Sequence, residues 1–265
     1  MEQVLKAEAH RTIVRVGDTV RRPTYPWSAS VHLLLQYLEG IGFAYSPRFL
    51  GLDNEGREIL SFIDGVCGGD GYVPGVEYGA HAWAMVVPEE GLAAFARLLR
   101  DYHDAVGGFV PPSEAPWSIG QGPPRPGEIV CHNDFGPWNV VWREGRPVGI
   151  IDWDYAAPGP PTDDVACALE WSVPFCSDED ALKWRRFTRR PDRRQRIKLL
   201  AEAYGLSSSD GLVEAVINGQ RQFAERVRVL AQRGIPDAMA EVASGYLDEV
   251  AARIDWSEAH RSELE

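Results

Sequence analysis

Cysteine, long apolar runs and basic charge are all scarce in this sequence. Its four cysteines (Cys67, Cys131, Cys167, Cys176) include no C-x-x-C pair and no finger-like spacing, which excludes a disulfide scaffold and a zinc finger. They are expected to be reduced thiols acting as small apolar side chains in a cytoplasmic protein. No stretch approaches the roughly 20 apolar residues that span a bilayer. The opening MEQVLKAEAHR carries no apolar signal core, so neither export nor a membrane partner is expected. Lys and Arg number 27 against 39 Asp and Glu, a net charge of −12, which speaks against a nucleic-acid partner. Internal repeats and low-complexity tracts are missing as well.

The charge is uneven. Residues 183–198 (KWRRFTRRPDRRQRIK) hold nine Lys or Arg and one acid, which leaves the rest of the chain at −20. Such a run is either a solvated helix face paired with acidic neighbours or an anion site. The acidic remainder would suit a cationic substrate, because a cleft of one sign concentrates the other.

At 265 residues the chain has room for one large domain or two lobes. Thr12–Val16 and Thr19–Arg22 flank Gly17-Asp18, a two-residue turn suited to a hairpin. Val31, Leu34, Leu35 and Leu38 recur at helical spacing between Ser28 and Gly40. Arg48–Leu52 and Glu58–Ile63 flank Asp53-Asn54-Glu55-Gly56, a second hairpin. Residues 1–64 therefore read as a small β-rich lobe. Residues 65–80, rich in glycine, read as a connection. Residues 81–265 read as a larger lobe, with helices expected over 89–106 and roughly 163–173, 192–205, 211–233 and 236–254. The fold class is α+β.

Residues 129–154 (IVCHNDFGPWNVVWREGRPVGIIDWD) carry the chemistry. Asn139–Trp142 and Val148–Ile151 are apolar runs joined by a polar turn near Glu144-Gly145. Antiparallel partners keep a constant index sum, so position 139 falls opposite about 151 and Asp152 folds back beside Asn139. The preceding loop holds Asp134 in a turn favoured by Gly136 and Pro137. Two carboxylates and an amide oxygen thereby converge at one end of a β-ribbon, a set of hard ligands that suits Mg²⁺.

His132-Asn133-Asp134-Phe135-Gly136-Pro137-Trp138-Asn139 resembles the H-x-D-x-x-x-x-N catalytic loop of the aminoglycoside phosphotransferase and choline kinase family. Ile151-Asp152-Trp153-Asp154 is similar to the family's I-D-W/F segment, and Thr162-Asp163-Asp164-Val165-Ala166 to its D-[LV]-A helix start. The resemblance covers roughly residues 12–205. It implies a two-lobed protein-kinase-like fold, ATP or GTP as co-substrate, and transfer of a phosphoryl group to a small-molecule hydroxyl. It further implies that Asp134 orients the hydroxyl and accepts its proton, and that Asn139 and Asp152 hold Mg²⁺. His132 would brace the loop and Asp164 would accept its backbone N–H groups. The main chain of Ser61, Phe62 and Ile63 would meet the base.

The first lobe departs from the family pattern. The strand where a phosphate-binding Lys is expected ends Val20-Arg21-Arg22-Pro23, so Arg21 or Arg22 would take that place. Counting Val16 and Val20 as inward residues favours Arg22. The helix position for a partnering Glu falls near Val31 and His32. No glycine-rich phosphate loop is visible, and few residues precede Thr12 in which to build one. Two alternatives stand beside the kinase: a non-catalytic kinase-like nucleotide-binding module, and a metallohydrolase using His132, Asp134 and Asp152. The acceptor pocket is expected from loop 107–127 and the helices after residue 175, with Trp117, Trp171 and Trp184 either stacking on a ring or in the core. An aminoglycoside-like antibiotic, an amino alcohol or a sugar would serve as acceptor; which one, and the oligomeric state, are left open.

Overall fold

The computed structural model describes residues 2–7, 11–67 and 80–265. The N-terminal part is an antiparallel sheet in the order β1-β2-β3-β5-β4. Its strands are β1 (Glu2–Ala7), β2 (Thr12–Val16), β3 (Thr19–Arg22), β4 (Phe49–Leu52) and β5 (Glu58–Ser61). Helix α1 (Ser28–Gly40) buries Val31, Leu34, Leu35 and Leu38, the stripe that the periodicity predicts. Strand β1 was not legible: its residues are half-buried or exposed with no alternation, so the sequence carries no period to read. It pairs Glu2 with Val16 and Ala7 with Thr12. The residues between the two strands, 8–10, lie outside the described residues.

The β2–β3 register opposes Arg15 to Val20 and Val16 to Thr19, and β5 opposes Leu60 to Val20 and Glu58 to Arg22. Paired residues share a face. Val20 and Arg22 are thus together with Arg15, while Val16 points to the other side with Arg21. The expectation that Val16 shares the face of Val20 fails because the two-residue turn makes the index sum 35, which pairs odd with even positions. The face of Arg22 is unaffected.

The C-terminal part is mainly helical. After α2 (Ala80–Val86) and α3 (Glu89–Val106) come β6 (Ile129–Cys131), β7 (Val140–Arg143), β8 (Arg146–Ile150) and β9 (Ala157–Gly159). Strand β6 pairs with β9, and β7 with β8. Helices α4 (Pro161–Ser172), α5 (Asp178–Trp184), α6 (Arg193–Tyr204), α7 (Leu212–Gln232), α8 (Pro236–Ser244), α9 (Tyr246–Ala259) and α10 (Arg261–Leu264) follow. The single helix expected over 236–254 is two, because Gly245 takes a left-handed φ of 82° and ends α8. Most of the glycine-rich connection, 68–79, lies outside the described residues. Val66 already belongs to the second part: it exchanges two 2.8 Å backbone bonds with Trp142.

One buried cluster runs through both parts, from Leu35 and Leu60 to Phe95, Phe135, Trp153 and Leu169. Of the four cysteines, Cys131 is buried and the others are half-buried. Among the described residues no helix is long and apolar enough to cross a membrane. The run 183–198 is not a purely solvated face, since Arg193 and Arg196 are buried. Arg193 donates to the carbonyls of Pro174 and Cys176, and Arg196 to those of Val86, Val87 and Ser172. These two buried guanidinium groups cap the ends of α2 and α4, and burial lowers the pKa of Arg196 to about 10.

Candidate active site

The loop after β6 is shaped by hydrogen bonds to groups distant in sequence. Asp164, fully buried in α4, accepts from the backbone N–H of His132 (2.7 Å) and Asn133 (2.6 Å) and meets His103 Nε2 at 3.0 Å. Burial opposes its charge, but the His103 hydrogen bond, with both imidazoles and the Asn133 N–H, holds its carboxyl below the usual range. Asn133 takes a left-handed φ of 61°. The His132 ring is buried with Nε2 3.0 Å from the Ile151 carbonyl oxygen, and burial lowers its pKa. It ties the loop to the end of β8.

The short turn Pro137–Asn139 carries the chain into β7. There Asn139 Nδ2 donates to the Asp134 carbonyl (2.9 Å) and to Asp134 Oδ2 (2.7 Å). In the hairpin Val140 opposes Ile150, and Ile151 N–H donates to the Asn139 carbonyl at 2.9 Å, the pairing that the index sum gives. Asp152 follows with a φ of 62°, which turns its carboxylate back toward the cleft. Asp134 and Asp152 line one cavity. Enclosure, with the nearby charge of Asp152, pushes the Asp134 carboxyl well above the usual range, against the pull of Asn139 and Trp138.

Facing this ribbon from the sheet is Arg22, buried to 5% exposure. Its Nη1 donates to Asp152 Oδ1 and its Nη2 to Asp154 Oδ1, both at 2.8 Å, and its Nε to Glu58 Oε1. Glu58 Oε2 in turn meets His32 Nε2 at 2.7 Å. The helix has no Glu at the position of Val31 and His32 and reaches the cation through His32, with the carboxylate supplied by β5. Arg11, which sequence reasoning missed, donates to Asp154 Oδ2 at 2.7 Å and lies 3.7 Å from Asp152. Burial opposes ionisation of Asp152, yet Arg11 and Arg22 hold its carboxyl far below the ordinary range, while Asp154 beside it is raised by its burial. Arg21 instead donates to Thr19 Oγ1 at 2.6 Å on the opposite face.

Asn139 commits its amide nitrogen to Asp134, so its oxygen is the atom left to face a cation. One ionised carboxylate and one amide oxygen beside phosphate is within what Mg²⁺ accepts, and the donor set fits that ion. Among the described residues no group of three or more His, Cys, Asp or Glu is arranged to hold a metal, so the metallohydrolase set does not assemble.

The segment 61–63 sits elsewhere. Ser61, Phe62 and Ile63 line a smaller cavity of about 480 Å³ with Phe43 and Arg143. Phe62 N–H is bonded to the Asp18 carbonyl at 2.9 Å, and the Arg15 guanidinium lies 3.7 Å over the Phe62 ring.

The larger cavity, about 930 Å³, runs from Lys6 and Arg11 past Asp134 to α4, α7 and α9. Loop 107–127 contributes nothing to its lining, contrary to expectation. That loop turns inward instead: Trp117 is fully buried and donates to the Gly122 carbonyl. Trp184 is exposed. Trp171 does line the cavity, joined by Trp83 and Trp138, which are stacked at 5.4 Å. Trp83 was not legible as a site residue because it lies one turn into a helix that no periodicity announced.

A model of the Phosphotransferase enzyme family matches residues 119–200. The chain is 34% identical over 226 residues to a trifolitoxin immunity protein of Rhizobium leguminosarum bv. trifolii, covering 82% of this chain and 79% of that one. In fold it is similar to a choline/ethanolamine kinase family protein of Mesorhizobium loti, with a TM-score of 0.58, 15% identity, and 100% and 92% of the two chains covered. It is likewise similar to aminoglycoside 2'-phosphotransferase-IIIa solved with GDP, with a TM-score of 0.59, 13% identity, and 98% and 93% covered.

Proposed function

Because this chain belongs to the phosphotransferase enzyme family, we propose that it is a Mg²⁺-dependent kinase moving the γ-phosphate of ATP or GTP to a hydroxyl of a small molecule in the cytoplasm. The observation that carries this reading is the Asp134–Asn139 hydrogen bond on the same cavity wall as Asp152. Asn139 holds Asp134 Oδ2, which leaves Oδ1 to meet the acceptor hydroxyl. As the hydroxyl oxygen bonds to the γ-phosphorus and the bond to the leaving phosphate oxygen breaks, Asp134 takes the proton. Asn139 and Asp152 would hold Mg²⁺, which when bound neutralises charge on the phosphates.

Arg22 supplies the cation for the nucleotide phosphates. An Arg does this with a planar fork where a Lys would offer a point charge. His132 and Asp164 shape the loop and take no part in proton transfer. The relative's name supports an antimicrobial toxin as acceptor, since phosphorylation of a toxin is one route to immunity.

The test is release of ADP or GDP from the purified chain with Mg²⁺ across an acceptor panel. Transfer that survives Asp134→Asn undiminished would defeat the reading.

A further inference from the structure

The far end of the large cavity holds charge and polar groups for which the protein provides no match. The Arg185 guanidinium lies over Trp83 at 4.6 Å and over Trp171 at 4.8 Å. Among the described residues no carboxylate comes within ion-pair distance of it. Its charge reaches Glu170 and it contacts the Cys176 thiol, while Glu170 Oε1 already accepts from Arg253 Nε at 3.1 Å and Gln220 Nε2 at 3.2 Å. Arg253 covers Trp171 too, at 4.9 Å. Two guanidinium cations therefore share one carboxylate in an aromatic pocket.

Two buried polar atoms at the same end have no partner. Gln220 is 1% exposed, and its Oε1 makes no hydrogen bond. Trp83 is 3% exposed, and its Nε1–H is also unpaired. Both side chains line the cavity. An orphaned buried polar group costs free energy that a ligand can return.

Glu170, Glu241 and Glu249 also line the cavity, but none pairs with Arg185 at ion-pair distance. A cationic ligand would meet Arg185 and Arg253 on the ring faces where cations bind. An anion would complete the charge, and a flat ring would match the indole wall.

Resting on the kinase reading, we propose that the acceptor is a ring-bearing alcohol that also carries a carboxylate or similar anion. Its hydroxyl lies at Asp134, its ring against Trp83, Trp138 and Trp171, and its anion on Arg185, with a donor to Gln220 Oε1. Peptides ending in an aromatic acid and non-peptide aromatic acids share this chemistry.

The test is calorimetric titration of the full chain, with a non-hydrolysable Mg·nucleotide present, using matched probes. The peptide pair is N-acetyl-seryl-tryptophan as acid and as amide; the non-peptide pair is 4-(hydroxymethyl)cinnamate and its amide; kanamycin is the polycation. At least one acid should bind about tenfold more tightly than its amide, a step of about 1.4 kcal/mol. Which pair shows the gap identifies the source. Arg185→Ala should erase the gap and Arg185→Lys should keep part of it, with the melting shift given by Mg·nucleotide reporting an intact fold. Equal binding of acids and amides, no binding of either acid, a gap that survives Arg185→Ala, or kanamycin binding more tightly than the acids would each overturn the proposal. An acid preference without phosphoryl transfer to any probe when Mg·ATP or Mg·GTP replaces the analogue would count against the kinase reading and leave the anion site standing.

Discussion

Arg22 and Asp154, 132 positions apart, are joined by a 2.8 Å hydrogen bond across the cleft. The same guanidinium serves Glu58 and Asp152, so Arg22→Ala leaves buried Glu58 with His32 alone and Asp152 and Asp154 sharing Arg11. Loss of one partner from such a group costs about 3–5 kcal/mol. Chemical denaturation should show a loss of that size, along with a raised nucleotide KM. Arg22→Lys should lose less stability yet keep a raised KM, because an ammonium cannot fork to three carboxylates. A wild-type melting curve for Arg22→Ala would mean that the contacts are incidental.

For Asp134→Asn, phosphoryl transfer should fall by about 10²–10⁴-fold, the usual share of general-base assistance. Stability should move the other way. Enclosure raises the folded-state pKa of Asp134, so its effect on stability turns unfavourable as pH rises from that of an ordinary aspartate through the raised value. The variant should therefore melt above wild type at pH 8, and the difference should vanish as pH falls to about 4. A difference constant with pH would contradict this.

The same raised pKa sets the acid limb of the rate. The proton acceptor is the ionised carboxylate, so kcat/KM should climb with pH and level off on a limb lying above the value of about 4 for an exposed aspartate. A profile already flat at pH 5 would remove Asp134 as the titrating base.

Asp152→Ala should act on binding as well as rate. Wild-type protein should show a rise in Tm with Mg·ATP or Mg·GTP, and the variant should lose most of it, since a metal ligand contributes to ground and transition states alike. A full thermal shift in the variant would take Asp152 out of the metal site.

Gly136→Ala tests the buttress behind the loop. A Cβ at that position would come within 2.4 Å of the Trp138 ring, which itself stacks on Trp83. The indole must move, so kcat should drop at least tenfold and tryptophan fluorescence should shift while far-UV circular dichroism stays unchanged. Unaltered kinetics would show that the loop does not depend on that contact.

The site was legible where chemistry and spacing are local. Asp134, Asn139 and Asp152 lie within one hairpin and its approach, so turn position alone brings 139 opposite 151. Arg22 needed only the alternation of a strand. What escaped depends on pairing across distance. Glu58 could not be read as the partner of Arg22, because nothing in its neighbourhood announces which strand it joins. Arg11 follows a strand with no hydrophobic alternation. Trp83 sits just past a glycine-rich stretch that was read as connection. Ser61, Phe62 and Ile63 were legible as a strand end, but a strand end does not say which cavity it borders.

Asp164 satisfies two backbone donors 32 and 31 positions before it, and this sets an order of events during folding. Until α4 docks, the N–H groups of His132 and Asn133 have no buried partner, and Asn133 has no compensation for its left-handed φ. A ribosome-bound chain that has emerged only as far as Asp154 therefore holds every residue of the phosphoryl-transfer set without their working arrangement. Competence arrives with a helix that carries none of those residues.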